Sequence, residues 1–224
     1  MNLTYSDLLK DLNELSNEKN ALFSKKILNT RFDLFGLKTK EVLFLAKKYK
    51  DIDVSTFELD KYYEVNYLYF YIYLKKHNNI DEQINFLINN RQHLENWAIV
   101  DGTSKLLVDF KLKDSKKFLS YDDEFITRYP YICMLKFTKN LQNLNEIFSY
   151  LKNDDRYYVK MGEGWLLSYC FINHFDETYK YYENTTIDKS ILLIGIQKAI
   201  DSFRVSEENK LKLKELRRTL RNDK

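Results

Sequence analysis

The chain has 224 residues, 44% of them hydrophobic and 31% charged, and carries a net charge of +3 at pH 7. That gives apolar mass for one large core and charge to coat it, which excludes a disordered chain, while one proline and five glycines are too few for the turns of a sandwich or barrel. Cys133 and Cys170 lie in apolar stretches without metal or redox spacing, and the longest apolar run, Tyr67 to Leu74, is too short to span a membrane, so a cytoplasmic protein with buried thiols is expected.

Helical periodicity begins where Thr4 to Asp7 lead into Leu8, Leu9, Leu12 and Leu15 at spacings of three and four residues. A second helix is predicted from about Asn17. Thr39 is the expected N-cap of a third, with Val42, Leu43, Leu45 and Ala46 on its apolar side. Ser55 or Thr56 is expected to open the next helix, which runs through Tyr62, Tyr67, Phe70 and Leu74 and is apolar on most of its circumference, as a central helix would be.

Further helices are predicted near 80–90, 94–110, 122–138, 143–152, 157–173, 175–184, 188–203 and 206–221, with Asp122, Asn143, Asp188 and Ser206 as caps. Pro130 requires its helix to begin nearby, because a proline deep in a helix costs about 3 kcal/mol. No hairpin turn separates alternating runs. The pattern predicts an all-α chain, a single 1–224 domain in which helix pairs stack as an α-α superhelix of about 10–12 helices, and a monomer.

The modest net charge conceals an uneven distribution. Residues 20–50 carry eight Lys and Arg against Asp33 and Glu41, residues 51–101 are net acidic, and the stretch from Val205 is again basic. Either a basic binding surface or ordinary solvated helix faces would give this distribution.

No nucleophile elbow, zinc-helix motif, Walker loop or dinucleotide fingerprint is present, and His77, His93 and His174 stand apart, so neither metal nor cofactor is expected. Both tryptophans have unusual neighbours. Trp97 and Asp101 lie four residues apart, which on a helix sets an indole beside a carboxylate. Trp165 follows Gly162 and Gly164, where a neighbouring backbone or a ligand can come close. Arg128 stands near the start of an otherwise apolar helix. Taken singly, these residues also suit a core tryptophan, a solvated aspartate and a surface arginine.

Five segments together carry a resemblance: Leu34 to Thr39, Asn96 to Asp101, Asp123 to Arg128, Tyr157 to Ser168, and Ile196 to Arg204. In order and spacing they resemble the DNA alkylation repair glycosylases of the AlkD-like kind, over nearly the whole chain. The resemblance implies a HEAT-like solenoid with a basic concave groove for duplex DNA, which hydrolyses the N-glycosidic bond of N3- or N7-alkylated purines and engages the lesion from the backbone side. By the same resemblance Asp101 is the catalytic carboxylate, Trp97 and Trp165 contact the lesion and its sugar, and Arg128, Lys38 and Lys160 hold phosphates. The sequence departs from the pattern at Ile27, where some relatives carry an aromatic residue, at Phe125, which stands in place of a tryptophan, and at Glu163, which would repel phosphate if it faced the groove. A family member that binds distorted or branched DNA without excision, and a helical-repeat protein scaffold, are the alternatives.

Overall fold

A computed structural model of the chain describes residues 3–222. Those residues are helical throughout apart from connectors and one isolated bridge between Asp33 and Tyr62, so the expected all-α helical-repeat class is observed. The chain divides into two compact units, Met1–Asp109 and Phe110–Lys224.

The first unit contains α1 (Tyr5–Glu14), α2 (Glu18–Leu28), α3 (Thr39–Lys48), α4 (Tyr63–Lys76), α5 (Ile80–Asn89) and α6 (Trp97–Thr103). Helix α1 is fixed by a reciprocal cap in which Thr4 Oγ1 accepts from Asp7 N and Asp7 Oδ2 accepts from Thr4 N. Helix α4 is central, with Glu64 to Phe70, Ile72 and Leu74 buried. Its Glu64 is 2% exposed and accepts backbone N–H bonds from Phe35, Gly36 and Leu37 at 3.1, 2.8 and 3.3 Å, which fastens the loop before α3 to the core. In contrast, α2 buries no residue fully and exposes Leu22, Phe23 and Ile27.

The second unit contains α7 (Ser115–Leu119), α8 (Glu124–Met134), α9 (Leu144–Ser149), α10 (Tyr157–Asn173), α11 (Phe175–Asn184), α12 (Lys189–Ile200) and α13 (Glu207–Asn222). Its core collects Tyr131, Met134, Ile147, Val159, Leu166, Phe171, Ile191, Ile196 and Leu213 around α10, which packs on α8, α11 and α12.

Several boundaries differ from the sequence reading. Lys38, not Thr39, caps α3, and Glu41 accepts from Lys38 N at 2.7 Å. The helix expected from Ser55 is a 3₁₀ turn, Val54–Thr56, and α4 starts only at Tyr63, after Asp60 takes a left-handed φ of 67°. The helix expected over 94–110 stops at Thr103. Buried Gln83 causes this, because its Nε2 donates to Leu106 O and its Oε1 accepts from Val108 N, both at 3.0 Å, drawing that strand of chain out of helical geometry. Asp123, not Asp122, caps α8, accepting from Phe125 N and Ile126 N. Pro130 lies inside α8 rather than at its start; the helix survives because Ile126 to Met134 are all buried, and it tightens to 3₁₀ geometry from Leu135.

Candidate functional site

Helix α6 begins at a fixed point. Asn96 is 1% exposed, its Oδ1 accepts from Ala98 N at 2.8 Å, and its Nδ2 donates to Leu28 O at the end of α2 at 2.6 Å. Trp97 is therefore the first helical residue, and Asp101 follows one turn later. Ile99, Val100 and Thr103 face the core, whereas Trp97 and Asp101 are both half-buried at its edge. Gly102 permits this docking, since a Cβ there would fall 2.4 Å from the Tyr67 hydroxyl. Beneath the helix the Tyr63 phenol is pushed well above its ordinary pKa, first by burial and then by Tyr67, Glu64, Glu95 and Asp101. An indole and a carboxylate thus share the rim of the first unit, as the spacing predicts.

Trp165 lies on α10 in the second unit, half-buried, with Tyr169 edge-on at 6.2 Å and Lys198 Nζ 5.9 Å from its ring. It lines an open hollow of about 340 Å³ together with Ser168, Tyr169, Ile172, Lys198, Asp201, Ser202 and Arg204. The guanidinium of Arg204 lies 5.4 Å from the Tyr169 ring and donates to Asn173 Oδ1 at 3.1 Å. Aromatic faces with cations beside them suit an anionic ligand that also carries flat or apolar parts. Gly164 makes the position of Trp165 possible. A Cβ there would sit 2.3 Å from Ile194 Cγ2, so the close approach near this glycine is made by α12 rather than by a ligand.

Arg128 departs from the expected surface arginine. It is 4% exposed, lies over Gly162, and donates from Nη1 to the Tyr158 carbonyl at 2.6 Å, while Glu124 Oε1 accepts from Tyr158 N at 2.7 Å. The start of α8 thereby grips the first turn of α10 by both sides of one residue. Next to it Arg156 bridges Asp154, Asp122 and Thr127, and Phe125 packs against the Tyr158 ring at 5.4 Å. Lys160 is half-buried with Nζ 3.7 Å from Asp155 Oδ1, and Lys38 is exposed at the start of α3.

Glu163 does not face solvent. It is fully buried, its Oε1 accepts from Lys152 N at 2.7 Å, and its Oε2 makes no hydrogen bond. The neighbouring Tyr131 hydroxyl donates to Tyr150 O at 3.1 Å, and burial and then the adjacent Glu163 carboxylate push it well above its ordinary pKa. Burial pushes the Glu163 carboxyl up to about 7. The repulsion of phosphate anticipated for this residue does not arise from an inward-facing side chain.

Two features escaped the sequence reading. Phe23 is 66% exposed one turn before Ile27 on α2, so an aromatic side chain is available on that helix although Ile27 is not one. Arg204 and Lys198 flank Trp165 from another helix and its following turn, which no spacing within α10 could reveal. The histidines contact separate neighbours: His77 lies 2.5 Å from Glu82, His93 lies 2.7 Å from Asp60, and His174 Nε2 lies 3.3 Å from Lys139 O. Cys133 and Cys170 are buried, and burial raises both thiols. Among the described residues, no cluster of three or more His, Cys, Asp or Glu could hold a metal ion, and no helix is long and apolar enough to cross a membrane.

The solved structure of a predicted DNA alkylation repair enzyme from Enterococcus faecalis is similar in fold, with a TM-score of 0.62 at 13% identity over 84% of this chain and 98% of that one. No curated protein matches the chain. The model of the DNA alkylation repair enzyme family matches residues 8–194, so the chain belongs to that family.

Proposed function

We propose that the protein is a DNA glycosylase, which binds duplex DNA and hydrolyses the N-glycosidic bond of purines alkylated at N3 or N7, using Asp101 and neither metal nor cofactor. The observation that carries this reading is α6, where a capped first turn holds an indole and a carboxylate one turn apart at the rim of a repair-family fold. Alkylation at N3 or N7 leaves the purine cationic, so it departs as a neutral base without a general acid. Cleavage of the C1′–N bond leaves positive charge on the sugar. The Asp101 carboxylate stabilises that charge and orients the water whose oxygen bonds to C1′ and whose proton is released.

Trp97 packs against the deoxyribose, where an indole beside a developing cation contributes about 0.5–2 kcal/mol. Trp165 offers the duplex a second indole with Lys198 beside it. Lys38 and Lys160 hold phosphates. Arg128, 4% exposed and donating to the Tyr158 carbonyl, contributes its charge from beneath the first turn of α10. Phe23 takes the role of the aromatic contact that Ile27 cannot provide.

The test is release of free alkylpurine from methylated duplex, followed by chromatography. The wild type should release 3- or 7-methylpurine, and Asp101→Asn should slow release by roughly 100- to 1,000-fold while DNA binding persists. The burial of Arg128 favours a second reading, binding of distorted DNA without excision. Tight salt-dependent binding with no base released by the wild type selects that reading and removes the first.

A further inference from the structure

We infer that α13 is a second DNA-contacting surface, a basic stripe that grips phosphates of the duplex flanking the lesion. The inference rests on the DNA-binding reading above and extends it to a helix outside the family match, which ends at residue 194.

Helix α13 buries Leu213 and Leu216 against the second unit. With about 3.6 residues per turn, Lys214, Arg217, Arg218 and Arg221 then fall within roughly 100° of arc on another side of the helix. Together they border an open hollow of about 270 Å³. Among the described residues none of the four forms a salt bridge, although one turn earlier Lys210 pairs with Glu207 and Lys212 with Glu208. Four neighbouring cations with no salt bridge among the described residues repel one another, a cost that a polyanion laid along the stripe removes. Guanidinium forks at three- and four-residue spacing suit successive phosphodiesters better than a lone phosphate.

The stripe is also continuous with the Trp165 hollow. Arg217 Nη1 donates to Gln197 Oε1, Gln197 Nε2 donates to Asp201 Oδ1 at 2.9 Å, and Asp201 lines that hollow. A strand held at Trp165 therefore leads across one hydrogen-bonded bridge onto the α13 cations. The contacts inferred are to phosphates, which carry no sequence information, so binding along the stripe is independent of sequence and of damage.

The test combines Lys214→Ala, Arg218→Ala and Arg221→Ala, all exposed positions whose loss leaves the core intact, and sparing Arg217 keeps the bridge. Undamaged duplex binding is measured against salt for a short duplex and for one extended by a helical turn. The expected result on the longer duplex is a log–log salt slope shallower by roughly 2 to 3, at about 0.9 per lost phosphate contact, with affinity down tenfold or more at low salt. The short duplex should show a smaller change, and excision from it should be preserved. A wild type that binds DNA with a steep slope, joined by a triple variant with the same slope on both duplexes, overturns the stripe and leaves the DNA-binding reading standing. A wild type without salt-dependent duplex binding removes both.

Discussion

Glu163 and Asp101 show two fates of a carboxylate on a helix. Glu163 is held protonated over a range where the unfolded chain is ionised, because burial raises its pKa from 4.5 to about 7. Below the unfolded value both states carry the proton and its contribution to stability is complete. As pH rises through the window from 4.5 to about 7 the unfolded chain alone loses its proton, stability falls, and above the folded value it levels off, a loss on the order of 3 kcal/mol. Glu163→Gln retains an acceptor for Lys152 N and has no proton to lose. Its stability relative to wild type should therefore rise by about 3 kcal/mol between about pH 4 and about pH 8, measured by urea unfolding. A difference independent of pH would show that Glu163 is not perturbed. Neither this residue nor Glu64 is legible in the sequence, since a buried glutamate and a solvated one are written alike and only packing separates them. The Trp97 and Asp101 pair was legible because it needs nothing but helical spacing and a cap.

At the scale of the element, α10 is positioned from both ends. Its first turn is gripped by Arg128 and Glu124, and its middle is brought against α12 at Gly164. Gly164→Ala sets a methyl group against Ile194, an overpacking that should destabilise the fold by about 1–3 kcal/mol and displace Trp165. Thermal unfolding reads the first effect, and weaker DNA binding out of proportion to it reads the second. Arg128→Lys keeps a charge but not the planar fork, so the Tyr158 carbonyl loses its guanidinium donor at a cost of about 1–3 kcal/mol. An unchanged melting temperature in that variant would show that the Tyr158 contact contributes nothing. Helix positions were legible wherever a cap and a periodic face coincide, as at Thr4, Asn17 and Asp188. They were missed where a distant side chain competes for the backbone, as Gln83 does at Leu106 and Val108. The burial of Arg128 belongs to the same class, because its partner lies in another helix.

Across the whole molecule the proposed roles divide between the two units. Asp101 and Trp97 belong to residues 1–109, whereas the Trp165 hollow and the α13 stripe belong to residues 110–224. The second unit has a core of its own, from Leu112 to Leu216, so a fragment of residues 110–224 should fold into a helical unit with cooperative unfolding. Carrying the cations of α12 and α13, it should bind duplex DNA with an affinity that falls as salt rises. It should release no alkylpurine at any concentration, because the carboxylate assigned to the sugar is absent. Circular dichroism, a salt titration of binding and the base-release assay on the same preparation check the three statements. Excision by the fragment would remove Asp101 from the mechanism whatever the full-length variants show. A folded fragment with no DNA affinity would confine binding to the first unit, where residues 20–50 carry the other excess of basic side chains.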